Sequence, residues 1–137
     1  MRKKGQSFLR VLILAILINE GSLHGYLLYK KILHHTCKKW KPSIGTIYRT
    51  LNEMVREGLI SKHRGDRRHN YSITPKGIDY FIKTSKTPIT RMTGVLTTVL
   101  EAYSKIIVEK PSISSILTRD LREKLKKLSE MLEKHSL

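Results

Sequence analysis

Mainly α with one small β-hairpin, an α+β arrangement, is the class that the 137-residue sequence predicts. Three observations carry it. Most apolar side chains recur every three or four residues, the period of a helix with one buried face. Residues 59–74, LISKHRGDRRHNYSIT, read instead as two strands around the turn Gly65-Asp66-Arg67-Arg68. Breaks at Pro42, Gly58, Pro75 and Pro111 separate the segments.

The first helix is expected from about Ser7 to Asn19, over the run FLRVLILAILI. A short apolar run after a basic start also resembles a secretion signal. No small-residue cleavage site follows it, however, and it is shorter than the roughly 20 residues that span a bilayer. It reads as a buried core helix closed by Glu20-Gly21-Ser22. A second helix runs from about His24 to Thr36, with Tyr26, Leu27, Leu28, Ile32 and Leu33 mostly on one face. Trp40-Lys41-Pro42 is a short basic connection, with Trp40 as a hydrophobic anchor. Ser43 is a good N-cap for the third helix, and Gly58 is placed to end it in a left-handed cap.

At helical spacing Ile44, Ile47, Tyr48, Leu51, Met54 and Val55 form one stripe of that third helix. The opposite face holds Gly45, Thr46, Arg49, Thr50, Glu53 and Arg56. In the hairpin that follows, Tyr71 and Ile73 alternate inward. Thr74-Pro75 opens a fourth helix expected to bury Ile78, Phe81 and Ile82 and to weaken near Lys86-Thr87-Pro88. Ile89, Met92, Leu96, Val99, Tyr103 and Ile106 then trace a heptad seam on a fifth helix. After Lys110-Pro111-Ser112 a last helix, about Ser115 to Lys134, sets Leu117, Leu121, Leu125, Leu128 and Leu132 on one face.

The charge is lopsided. The chain carries 27 Lys+Arg against 11 Asp+Glu, a formal net charge of +16. Residues 1–83 hold +12 of it and residues 84–137 only +4. Such an excess points to a polyanion, nucleic acid or an anionic membrane surface. The membrane reading is the weaker one, because the basic residues are spread over helix, turn and hairpin. The single cysteine, Cys37, excludes an internal disulfide and suits a reducing cytoplasm. His34 and Cys37 are three residues apart, but a zinc site needs three or four ligands and nothing nearby supplies the rest. No catalytic constellation stands out, so neither an enzyme, nor a metal, nor a cofactor is expected.

Three helices, a basic-tipped hairpin and further helices describe a winged helix-turn-helix domain, residues 1–83, followed by C-terminal dimerisation helices, residues 84–137. In that geometry the third helix enters the major groove of double-stranded DNA. Gly45 and Thr46 allow close approach, and Arg49 and Thr50 reach bases or phosphates. Lys41, Ser43, Arg64, Arg67 and Arg68 lie where the backbone would pass. Tyr48 stands at the stripe's edge, its ring in the core or its hydroxyl on a phosphate.

The stretches LILAILINEGSLHGYLLYKKI, WKPSIGTIYRTLNEMVREGLI and HNYSITPKG resemble the PadR family of winged-helix transcriptional regulators. The signs are His24-Gly25-Tyr26, Pro42-Ser43 before Gly45-Thr46-Ile47-Tyr48, Glu57-Gly58-Leu59, and Tyr71 to Gly77; the likeness covers about residues 8–83. The resemblance implies a cytoplasmic homodimer, usually a repressor, on a palindromic operator, with the helices after the wing forming the dimer. The seam from Ile89 to Ile106 fits that independently. The resemblance also implies a small aromatic or cationic effector at the dimer interface. Tyr103 is the one aromatic residue of the late helices, so no effector site is assigned. Two other functions compete: an architectural protein that coats DNA with little sequence preference, and a winged helix used for protein assembly.

Overall fold

The structure, a computed structural model, describes residues 4–36, 38–112 and 118–135, with residues 4–7 described by their helical backbone alone. Cys37 and the expected seam residue Leu117 lie outside the described residues. Among the described residues the elements follow in the order α1 (Lys4–Glu20), β1 (Leu23–His24), α2 (Gly25–His35), α3 (Ile44–Arg56), β2 (Ile60–Arg64), β3 (His69–Ile73), α4 (Pro75–Glu109) and α5 (Arg119–His135). The chain divides into two compact units, Met1–Arg91 and Met92–Leu137.

The first unit is built around α1. Leu9, Ile13, Leu14, Ile16 and Leu17 are all buried there, against Leu28 and Ile32 of α2 and Ile47, Leu51 and Met54 of α3. At about 1.5–3 kcal/mol per buried side chain, the α1 contribution is on the order of 10 kcal/mol, comparable to a small domain's whole stability. Four helix ends have a chemical reason. The ring Nδ1 of His24 accepts the Leu27 amide at 3.2 Å, and the Ser43 hydroxyl accepts the Thr46 amide at 3.1 Å. Gly58, at φ +77°, turns the chain out of α3 in a conformation that side chains with a Cβ rarely adopt. The Thr74 hydroxyl accepts the Gly77 amide at 3.0 Å and donates to the Gly58 carbonyl at 2.7 Å, which locks the start of α4 to the end of α3.

The sheet has a third strand that the sequence reading lacks. β3 lies in the middle, with β2 pairing antiparallel on one side and the two-residue β1 on the other. The register sets Lys62 opposite Tyr71, Arg64 opposite His69, and Leu23 opposite Tyr71 on the far edge. Paired residues share a face, so the core face of the hairpin starts with Ile60 and Ile73, passes Tyr71, and ends in Lys62, Arg64 and His69.

Three further expectations are corrected. α4 passes straight through Pro88, where two helices were expected. A proline inside a helix removes one hydrogen bond and costs about 3 kcal/mol. A break there would orphan up to eight backbone groups at the two new ends, so the continuous helix wins. Ile78 and Ile82 are 42% and 63% exposed rather than buried, and Phe81 is only partly buried. The buried positions of α4 are Gly77 and Ser85. Gly77 sits so close to the hairpin that a Cβ there would stand 2.0 Å from the Leu59 carbonyl oxygen. Gly77 brings the first turn of α4 against the hairpin, and the partly buried Tyr80 and Phe81, rather than the isoleucines, pack on the core. In α3 the buried stripe runs through Ile47, Thr50, Leu51 and Met54, which leaves Ile44 at the edge, 44% exposed.

In the second unit none of the described α5 residues is buried. Leu96, Tyr103 and Leu125 are partly buried, while Ile89 at the end of the first unit and Met92, Val99, Ile106, Leu121 and Leu128 are between 36% and 53% exposed.

Candidate nucleic-acid interface

The rotated stripe of α3 redefines its open face. Gly45, Tyr48, Arg49, Asn52 and Arg56 are exposed together. Among the described residues an alanine methyl at Gly45 would meet only the Ser43 hydroxyl, at 3.9 Å, so none of them requires glycine there. Ser43 and Thr46 are occupied with each other: besides the N-cap bond, their hydroxyl oxygens lie 2.9 Å apart. Thr50 is a correction. It is 2% exposed, and its hydroxyl donates to the Thr46 carbonyl at 2.8 Å within the helix. A threonine satisfied in this way behaves as a core residue, so it leaves the set of contacting residues.

The far end of α3 is held by Arg10 of α1, which is 3% exposed. Its Nη2 donates to Glu57 at 2.6 Å and lies 3.4 Å from Glu53, so Glu53 is a paired charge. Burial works against the guanidinium charge, but Glu57 and Tyr80 of α4 outweigh it and hold the group above its ordinary value. Its Nη1 finds no partner among the described residues. α3 is thus fixed at its C-terminal end by charge and along its buried stripe by apolar packing, with its N-terminal half left open.

Tyr48 is 38% exposed, and its ring lies on Gly25 of α2. A Cβ at Gly25 would stand 2.7 Å from the ring, so glycine at the start of α2 makes room for it. Lys41, Arg49, Arg64, Arg67 and Arg68 are all exposed, and no described carboxylate forms an ion pair with any of them. Trp40 packs inward, its ring 5.2 Å from that of Phe8. Sequence reasoning missed Asn52, Lys62 and His69. Asn52 stands seven residues after Gly45 on the same helix face, and Lys62 and His69 continue the alternation that starts at Ile60 and Ile73. Those periodicities were the available signals.

Between α3 and the wing lies a groove of about 350 Å³ lined by His24, Gly25, Tyr26, Tyr48, Asn52, Lys62, Arg68, His69 and Tyr71. An open helix face beside a basic hairpin can lie against a polyanion with one element in a groove and the other along the backbone. Among the described residues no group of three metal-ligating side chains exists, and no helix is long and apolar enough to cross a membrane.

The sequence model of the transcriptional regulator PadR-like family matches residues 13–83. Among solved structures, a transcriptional regulator from Clostridium thermocellum aligns with a TM-score of 0.61 and 25% identity, over 71% of this chain and 97% of that one. A PadR-like transcriptional regulator from Bacillus cereus aligns at 0.57 and 29%, over 66% and 90%. A winged-helix DNA-binding protein from STIV shares the fold at a TM-score of 0.50 and 20% identity, over 56% and 83%. No curated protein matches the sequence.

Proposed function

Because the chain belongs to the PadR-like family of transcriptional regulators, we propose that it is a homodimeric repressor reading a palindromic operator with one α3 per subunit. Residues 1–83 form the DNA-binding part and residues 84–137 the dimerisation region. Arg49 and Asn52 face base edges. Lys41, Lys62, Arg64, Arg67 and Arg68 follow the backbone, and Tyr48 offers its hydroxyl to a phosphate.

The observation that carries this reading is Gly45. A glycine on the open face of α3, with no neighbour among the described residues to require it, is explained by a surface that must come close from outside. Arg49, exposed and without an ion-pair partner among the described residues, stands four positions further along the helix. Dimerisation is supported by the second unit. A helix in a protein draws most of its stability from packing of its apolar face, yet none of the described α5 residues is buried within the chain. Leu121, Leu128, Met131 and Leu132, each 36–45% exposed, are available to a second copy.

The test is fluorescence anisotropy at about 0.15 M salt, where only contacts within a Debye length of about 8 Å persist. One probe is the duplex upstream of the protein's own gene and the other a shuffled duplex of the same composition. A regulator of its own gene prefers the first by about 10³-fold or more. Equal binding to both would leave an operator elsewhere in the genome or the architectural reading, for which the net charge of +16 is the supporting observation.

A further inference from the structure

We propose that the groove between α3 and the wing is a binding site for a free nucleoside phosphate, and that its occupation excludes DNA. The second half rests on the DNA-binding reading above; the first half does not.

The groove's size falls within the roughly 300–1,000 Å³ of small-molecule sites, at about 350 Å³. Its wall carries three tyrosines, Tyr26, Tyr48 and Tyr71, each from a different element. Tyr26 is 45% exposed at the mouth, and Tyr48 is set by its seat on Gly25. The exposed rings of Tyr26 and Tyr48 offer faces that stack a planar base, while Tyr71 is buried behind them. Lys62 and Arg68 line the same groove, and no carboxylate among the described residues does. An uncompensated pair of cations beside stacking faces selects a ligand that is anionic at one end and aromatic at the other.

Tyr71 adds an independent sign. It is 2% exposed, yet among the described residues no hydrogen bond reaches its hydroxyl. The one fully buried side-chain atom without a partner among the described residues is Nη1 of Arg10, so the Tyr71 hydroxyl keeps contact with solvent; it belongs to a residue that lines the groove, where a ligand can take the place of water. Burial, with Tyr48 adding to it, pushes the phenol above the ordinary tyrosine range, so the hydroxyl stays a neutral donor at physiological pH. Because Tyr48, Asn52 and Arg68 belong both to this groove and to the DNA-facing surface, ligand and duplex cannot share them.

The experiment titrates the full-length protein against a fluorescent adenosine monophosphate, without DNA. Inorganic phosphate and adenosine serve as competitors, and Tyr26→Ala, at an exposed residue outside the proposed DNA contacts, serves as the variant. The nucleotide should bind at least about 10-fold more tightly than phosphate or adenosine alone, and Tyr26→Ala should weaken it about 5-fold or more. Nucleotide binding no tighter than inorganic phosphate, or unaffected by Tyr26→Ala, overturns the site. In a second arm, unlabelled nucleotide should release a labelled duplex from the wild type but not, at the same concentration, from Tyr26→Ala. Nucleotide binding that leaves the duplex in place overturns the exclusion. A single-stranded oligonucleotide binding through Tyr26 more tightly than the mononucleotide would move the source from a free metabolite to DNA itself. Failure to bind any duplex, with nucleotide binding intact, would instead count against the operator reading.

Discussion

Two neighbours on α3 show how much burial decides at the scale of a residue. Arg49 and Thr50 are adjacent and both polar, yet one is exposed and the other 2% exposed with its hydroxyl spent inside the helix. Arg49→Ala should therefore weaken operator binding by roughly 1–3 kcal/mol and relax specificity at one base pair, while Thr50→Val leaves affinity within about twofold. Anisotropy titrations of both variants against operator and shuffled duplexes measure the contrast. The sequence could not separate the two, because a threonine that bonds back to its own helix carries the same letter as one that faces water. Tyr71 gives a second residue-level expectation, in stability against pH. Its folded-state value lies above the ordinary tyrosine value near 10, so its contribution is complete below about pH 10 and is lost as pH rises through the raised value. Urea unfolding between pH 8 and 11 should show a shallower alkaline decline for Tyr71→Phe than for the wild type.

Among the elements, those with several turns or strand residues of unbroken pattern were legible in the sequence: α1, α2, α3 with its Ser43 cap, and the hairpin with its basic tip. β1 was not, because two residues, Leu23 and His24, carry no period and acquire strand geometry only by pairing with Tyr71 and Asn70. Nor was the continuity of α4, because proline's local penalty is visible in the sequence and the cost of two new helix ends is not. The same blind spot hid Gly77. Its role depends on the Leu59 carbonyl, which is remote in sequence and in place only when the wing is folded. Gly77→Ala should cost about 1–3 kcal/mol by overpacking, since the clash is with backbone that cannot swing away. Gly94→Ala, with nothing within 4 Å of its Cβ, should be neutral or slightly stabilising in the same helix. Thermal melts of the two variants test the pair.

For the molecule as a whole, the proposed dimer makes the sharpest expectation. Met92, 49% exposed on the seam of α4, is a site where a carboxylate is harmless in a monomer and buried in a dimer. Met92→Glu should leave the helix content unchanged, shift the sedimenting species from dimer to monomer, and lower affinity for a two-half-site operator by about 10²-fold through lost avidity. The candidate interface with DNA was largely readable beforehand, as a charge excess in residues 1–83 and a helix with one bulky and one small face. What escaped was the concavity behind it, which exists only where α2, α3 and the sheet converge. That convergence also dictates an order of assembly. Leu23 must wait for Tyr71, which leaves the ribosome on the order of fifty residues later, at 5–20 residues per second. Until then the helices lack one wall of their core, and the nascent chain should be open to protease. Protection should arrive in one step only after the wing is followed out by the start of α4, because Tyr80 and Phe81 pack against the same core and the first unit runs to Arg91.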